Sequence, residues 1–460
     1  MGQTIAFAGE GTLGGSTSLT PAPTQTLANA NYLTSSEYSF AQQYLPDLYE
    51  KEFERYGNRS IASFLRMVSA ELPTTSDLIK WSEQGRLHVR ATGAISSATG
   101  DNTITVSAHN FRNGQTVVVN KANGNELKCY ITNASAANAI VVAPYAQATL
   151  IANSIFAASD AVEIFVYGSE FSKGSEGMEG SMEASFETKE NNPIIIKDKY
   201  EVSGSEMAHV GWVEVTTENG ASGYLWYLKS ESETRLRFED YLEMAMIEGE
   251  PAVTGSAAIA STKGTKGLFH EIATGGNTTS GVITDRDDLE AFAKVLDKEG
   301  AIQENVMFVN RSTGFDIDRV LAAQNNSGAS TSSYGMFDNS EDMALNLGFT
   351  GFRIGYDFYK SDWKYLNDAT TRGNSNSSID GVMVPAGTTT VYDQVLGQNA
   401  KRPFLHVRYR QSAMEDRKYK SWIVGSAGGA ATSGKDNMEV HFLSERALCV
   451  MGANNFMLLR

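Results

Sequence analysis

The stretch LKSESETRLRFEDYLEMAMIEGEPA, Leu228 to Ala252, decides how the chain is read. Leu236, Phe238, Tyr241, Leu242, Ala245 and Met246 recur at three- and four-residue steps, while Arg235, Arg237, Glu239, Asp240, Glu243 and Glu248 fill the other face. That period predicts an amphipathic helix with one buried stripe. Ser230 or Ser232 can cap its start, and Gly249 followed by Pro251 stops it. Strand-like segments flank it on both sides, so it reads as a long rod with sheet packed along it. No cluster of catalytic residue types surrounds the rod, which points to a chain that builds something.

Immediately upstream, SEFSKGSEGMEGSMEASFETKENN (169–192) is acidic and punctuated by Gly and Ser. NPIIIKDKYEVSG (192–204) and VGWVEVTTENGASGYLWYL (210–228) follow as strand-like arms, so 169–227 reads as a long β-hairpin with a mobile acidic tip. From Gly168 to Glu250 there are 18 acids against 7 bases, a net of −11. Further upstream, 91–168 is rich in Ser, Thr, Asn, Ala and Gly, with the β-type runs TITVS, QTVVVN, LKCYIT, AIVVA and VEIFVY. Their spacing and the turns at Arg112-Asn113-Gly114 and Asn123-Gly124 predict a compact all-β module set into a host domain. Residues 35–90 read as helical, with Ile61, Phe64, Leu65, Val68 and Leu72 as a stripe after Ser60 that Pro73 ends. Residues 1–34 read as a polar arm that gains order only against a neighbour.

Downstream, the rod region extends to 270, and GSAAIASTKGTKGLFHEIATGGNTTSGVI (255–283) reads as loop. Thr284 caps a helix over DRDDLEAFAKVLDKEG, ENVMFVN is a buried strand, and Ser312 or Thr313 opens a second helix through Ile317, Val320 and Leu321. This helix–strand–helix pattern makes 271–398 an α/β unit. The final part, 399–460, alternates like strands and ends apolar.

The totals exclude several functions. At 460 residues the chain holds more than one structural unit, and its formal charge of −16 argues against nucleic-acid binding as the main task. Cys129 and Cys449 make no disulfide framework and no metal motif, and the six histidines form no HxxxH or HxH pair. The glycines Gly9, Gly11 and Gly14 spell GxGxxG, but GSTSLTPAPTQT cannot be the helix that a dinucleotide site needs. No membrane span, secretory leader, GxSxG elbow or calcium-loop pattern occurs, so the expectation is a chain that is no enzyme, needs no cofactor or metal and touches no membrane. The stretch Lys401–Lys420 carries 7 bases against 2 acids with Phe404, Tyr409 and Tyr419 interleaved, a surface for an acidic neighbour or for packaged nucleic acid.

By order of parts the chain resembles the major capsid proteins of tailed phages, whose fold is shared with herpesvirus capsids. The carriers are the polar arm, the acidic hairpin in the place of the E-loop, RLRFEDYLEMAMIEG (235–249) in the place of the spine helix, and NVMFVNRSTGFDIDRVLA (305–322) in the axial domain. LGFTGFRIGYDFYKSDWKYLND (347–368) and HFLSERALCVMGANNFMLL (441–459) look most like the crAss-like phage group. Two departures are Arg311 after Asn310, where many relatives have Pro, and the module at 91–168, which the minimal fold lacks. Some relatives cross-link a hairpin Lys to an Asn; Lys173 is the only lysine near the tip, and no motif marks a partner.

The resemblance implies an α+β fold with N-arm, E-loop, spine-helix peripheral domain and axial domain, closing with strands that return FMLLR to the peripheral domain. It implies a chain that assembles as hexamers and pentamers into an icosahedral head around phage DNA. The partners it implies are copies of itself, portal, scaffold and auxiliary head proteins, and double-stranded DNA held non-specifically on the inner face. The place is the virion capsid, assembled in the host cytoplasm. The expected subunit contacts pair Glu176, Glu179, Glu183 and Glu187 with Arg408, Arg410, Arg417 or Lys418. The rival expectation is a phage surface or tail-associated module whose β insertion recognises a carbohydrate or receptor.

Overall fold

The computed structural model describes residues 64–65, 70–96, 102–183, 185–208, 215–216, 222–223, 226–253, 263–299, 302–326, 351–373, 378–393, 398–427 and 432–460. The expected N-terminal arm and most of the expected helical part at 35–90 lie outside them. The fold is mixed α/β, with two sheets sharing a core and a third β unit carried apart from them.

Phe64 and Leu65 are helical, and β1 (Ala70–Thr74) and β2 (Ile79–Gln84) follow. Six strands follow: β3 (Arg90–Ile95), β4 (Thr103–Val106), β5 (Gln115–Asn120), β6 (Glu126–Ala136), β7 (Ala139–Pro144) and β8 (Ala161–Ser169). After β9 (Phe186–Asn191) and β10 (Ile194–Ser203), a small hairpin of β11 (Val215–Thr216) and β12 (Ser222–Gly223) precedes the long helix α1 (Trp226–Glu248). Then come α2 (Leu268–Gly275), β13 (Asn277–Thr279), α3 (Arg286–Glu299), β14 (Glu304–Val309) and α4 (Arg311–Asn326). The remaining strands are β15 (Gly351–Ile354), β16 (Tyr356–Asp362), β17 (Gly381–Pro385), β18 (Thr388–Asp393), β19 (Gln398–Pro403), β20 (Leu405–Arg410), β21 (Lys420–Gly425), β22 (Asn437–Val450) and β23 (Met457–Leu459).

The first sheet is built around β22. Its 14 residues take β10 along one side, and β21 and β20 in succession along the other, with β1 parallel on the outside of β20. The helix α1 lies on this sheet, where Phe238 and Leu242 pack with Val202, Met438, Val440 and Phe442. The second sheet runs β13-β23-β17-β14-β16-β15. Leu289, Phe292 and Leu296 of α3 and Ile317, Val320 and Leu321 of α4 pack with its strand residues Met307, Val309, Phe358 and Met383. One further core, holding Met246, Ile247, Leu268, Phe308, Trp363, Leu405, Leu448 and Phe456, joins both sheets to the end of α1.

Several local readings change. In α1 the buried positions are Thr234, Phe238, Leu242, Glu243, Met246 and Ile247, whereas Tyr241 is exposed and Leu236 half-buried. Glu243, assigned by its charge to the wet face, is buried because its Oε1 accepts the Phe64 backbone N–H at 2.9 Å. Ser230 and Ser232 sit inside the helix, which begins at Trp226; serine's small propensity cost does not stop a helix that a sheet supports. Its end agrees with the glycine signal, since a Cβ on Gly249 would lie 2.7 Å from Ala245 O and Thr265 O.

Leu72 and Pro73 end no helix. They lie in β1, an outside strand where proline's missing N–H costs nothing, and Ile79–Gln84 is likewise a strand. The start of α3 is capped by Asp285, whose Oδ1 accepts Asp288 N, while Thr284 bonds the Asp288 carboxylate. Asn310, not Ser312 or Thr313, caps α4, its Oδ1 accepting Thr313 N at 2.7 Å. The stretch read as loop contains α2, which buries Leu268, Phe269 and Ile272. FMLLR does not return to the first sheet. After Gly452, in the left-handed region at φ 64°, the chain turns and β23 joins β13 and β17 in the second.

Candidate functional site

Three features stand out from the body: a two-stranded stalk, a barrel at its end, and a charged sheet margin. The stalk pairs β2 with β9, antiparallel from Ile79↔Asn191 to Gln84↔Phe186, and among the described residues neither strand pairs with any other. The arms read as one hairpin therefore divide. Ile194–Ser203 is β10 and pairs along its whole length with β22, because alternating Ile194, Ile196 and Val202 supply a face for the core.

The stalk is tied to the body along its length by polar contacts. Asn191 is 1% exposed; its Nδ2 donates to Lys266 O and Leu448 O at 2.9 and 2.7 Å, and its Oδ1 accepts from Lys266 N at 2.8 Å and Thr265 Oγ1 at 3.1 Å. Glu83 Oε1 accepts Gly452 N at 2.8 Å and Trp81 Nε1 at 3.0 Å. Ile79 and Trp81 pack on Ala447 and Cys449 beneath. Nearby, burial holds the Glu271 carboxyl above its ordinary range despite Lys266 at 3.8 Å. Neither Asn191 nor Glu83 was singled out from sequence; the one available signal is the Asn-Asn-Pro that ends a strand.

Between the stalk strands the chain makes the barrel, closed in the order β3-β4-β7-β6-β5-β8. It has a core of its own, including Ile104, Val117, Val119, Ile131, Ile140, Leu150 and Ile164. Asn123-Gly124 turns β5 into β6, with Gly124 at φ 88°. Gly114, at φ 84°, leaves room for Phe171, which would lie 2.6 Å from a Cβ there. Burial pushes the Cys129 thiol up to about 12, so it is inert at neutral pH. Tyr145, whose hydroxyl donates to Glu170, and Tyr167 are each about half exposed on the outer wall. The stalk end carries Leu87 and Phe186 at 79% and 65% exposure.

The eight residues expected at a subunit contact fall into two groups. Glu176, Glu179 and Glu183 lie in the segment between β8 and β9, exposed, and among the described residues they meet no cation. Glu187 is in β9 opposite Glu83 and pairs with Lys189, whose ammonium it holds above its ordinary range. The bases line the margin of the first sheet and are partnered within the chain. Arg417 Nε stands 2.6 Å from Glu445 Oε2, and Arg410 pairs with Asp77 and with Glu445 at 3.5 Å. Lys418 Nζ is 2.5 Å from Glu71 Oε2, whose other oxygen lies 3.4 Å from Arg446. Arg408 sits in β20 between Leu72 and Ala447. The structure does not bring the two groups together within one copy, and the bases that sequence showed as a free patch tie β1 to β20–β22.

Among the described residues no group of three metal-ligating side chains occurs, and no helix is long and apolar enough to cross a membrane. His109 is held by Ala136 O at 2.7 Å, His406 is buried in β20, and His441 stacks on Trp422 with centroids 5.1 Å apart.

No family model matches the chain, and no curated protein matches it. Among solved structures it is similar to a chain of Gordonia phage Cozz, at 12% identity and TM-score 0.41, covering 95% of this chain and 98% of that one. A chain of Microbacterium phage Oxtober96 matches at 11% identity and TM-score 0.38, covering 92% and 97%. A chain from a capsid structure of the cyanophage P-SCSP1u matches at 9% identity and TM-score 0.32, covering 64% and 79%. TM-scores of this size decide neither fold nor function, and the functional reading rests on the chain's own elements.

Proposed function

We propose that this chain is a tailed-phage major capsid protein, which assembles through its interfaces into hexamers and pentamers of an icosahedral head around DNA. The observation that carries the reading is the stalk: a two-stranded ladder that rests on the body along β2 through Ile79, Trp81 and Glu83, holds a self-contained barrel and leaves Leu87 and Phe186 exposed at its far end. A two-stranded ribbon is marginal in water alone. A neighbour that covers it supplies the missing burial, and several such contacts of ~1,600 Å² each close a shell cooperatively.

In this reading the E-loop is the β2–β9 ladder with the barrel inserted at its end, α1 is the spine helix, and β13–β17 with α3 and α4 belong to the axial domain. Portal, scaffold and auxiliary head proteins are the further partners, the DNA lies against the inner face, and assembly takes place in the host cytoplasm. A likeness to the crAss-like group is part of the same proposal. The acids Glu176, Glu179 and Glu183 are proposed to set register between copies. The test is light scattering and negative-stain imaging of the purified full chain: capsomers or shells are expected, and a monomer at every concentration would overturn the reading.

A second reading has one observation behind it. The half-exposed Tyr145 and Tyr167 beside Glu170 offer apolar ring faces and a carboxylate, a combination that suits a carbohydrate. It predicts a discrete small oligomer in the same scattering experiment.

A further inference from the structure

Where the stalk meets the barrel there is an open cleft of about 580 Å³. Arg86, Leu87, His88, His109, Met182 and Glu183 are among the residues that line it. The Arg86 guanidinium donates to Lys298 O at the end of α3 and stands 3.8 Å from Glu299, with 66% of its side chain exposed. A guanidinium has five N–H donors, so most remain available. His88 is exposed and makes no hydrogen bond or ion pair among the described residues. Leu87 and Met182 give the same cleft an apolar floor, both of them exposed.

The neighbouring segment has the complementary pattern. Ser169–Glu183 contains the acids Glu170, Glu176, Glu179 and Glu183 against one base, Lys173. Within it Glu176-Gly177-Met178-Glu179 sets an apolar side chain between two carboxylates that meet no cation among the described residues of their own copy. Its own cleft is already lined by Met182 and Glu183, and Gly180 O is held by Arg112 Nη1 at 2.7 Å. Arg410, Arg417 and Lys418 on the margin of the first sheet are paired with Asp77, Glu445 and Glu71.

We propose that the neck cleft receives the Glu176–Glu179 segment of a second copy of this chain, the carboxylates meeting Arg86 and His88 and Met178 covering Leu87 and Met182. The inference rests on the self-assembly reading and adds the place of contact. Cleft and segment adjoin in each copy, so the contact can be reciprocal about a two-fold axis. Electrostatic complementarity of this exposed kind sets register and is screened by salt.

The experiment uses the full chain with His88→Cys and Glu179→Cys together, Cys129 and Cys449 being buried. Mild oxidation followed by non-reducing electrophoresis is expected to give covalently linked copies, while each single variant stays at chain size. A band at chain size only, under conditions where the wild type associates, overturns the contact and leaves the assembly reading standing. A wild type that does not associate overturns both. As a second readout, His88→Glu and Glu179→Lys each reduce assembly several-fold. Paired with a charge of opposite sign in the other variant, assembly returns towards wild type; equal loss in the pair overturns the inference.

Discussion

At the scale of single residues, the chain places its strongest polar anchor where sequence reading gave no weight. Asn191 uses both ends of its amide to join β9 to Lys266 and Leu448, residues distant in sequence. Replacement by Ala strands two buried carbonyls and an N–H, so Asn191→Ala is expected to cost roughly 2–4 kcal/mol in urea unfolding. An unchanged midpoint would show that the stalk root is held elsewhere. Glu201 gives a pH-dependent counterpart. Hydrogen bonds from Lys199, Lys435 and Asn437 lower its carboxyl from 4.5 to about 2. A depressed folded value means that its contribution is complete above 4.5 and lost as pH falls towards 2. Glu201→Gln should therefore melt closer to wild type at pH 2 than at pH 6, read by circular dichroism at both. Neither residue was legible, because Asn191 depends on Lys266 and Leu448 and Glu201 on Lys435 and Asn437, all distant in sequence. The same holds for Arg410, Arg417 and Lys418: their positive run is visible in sequence, but Glu71, Asp77 and Glu445 that satisfy them are not near it.

At the scale of elements, legibility followed the hydrophobic period. Five of the six barrel strands are read at TITVS, QTVVVN, LKCYIT, AIVVA and VEIFVY because short apolar runs between turn residues mark them, whereas β3, RATGAI, carries too little apolar sequence to show. The stalk strand FETKEN has no such alternation, and its pairing with IKWSEQ spans the whole barrel, so only the register reveals it. The barrel enters and leaves through Gln84 and Phe186, which stand opposite each other in the ladder. Replacing 85–185 by an Asn-Gly turn is expected to leave the body folded, with its far-ultraviolet dichroism and α1 packing retained. The shortened chain should still lose ordered assembly, since the neck cleft and the acidic segment go with the barrel. Aggregated or unfolded body would instead mean that the barrel supports the sheets.

At the scale of the whole molecule, the question is how many units unfold together. The two sheets share a core in which Phe64 stacks on Trp363 at 4.4 Å and meets Phe308 edge-on at 4.7 Å. Phe64 N also bonds Glu243 of α1, so one residue touches both the rod and the second sheet. The barrel's buried residues form a separate cluster from these. Burial that is shared makes unfolding cooperative, and burial that is separate does not. Calorimetry of the unassembled chain should therefore show two transitions, one for the body and one for the barrel. Phe64→Ala, which deletes a fully buried ring, should cost about 3–5 kcal/mol and lower the body transition alone. Ile140→Ala should cost about 2–5 kcal/mol and lower the barrel transition alone. If both substitutions move one common transition, the stalk transmits stability between the units and the barrel is no independent passenger. If they separate, the barrel can meet a neighbouring copy without loosening the body that carries it.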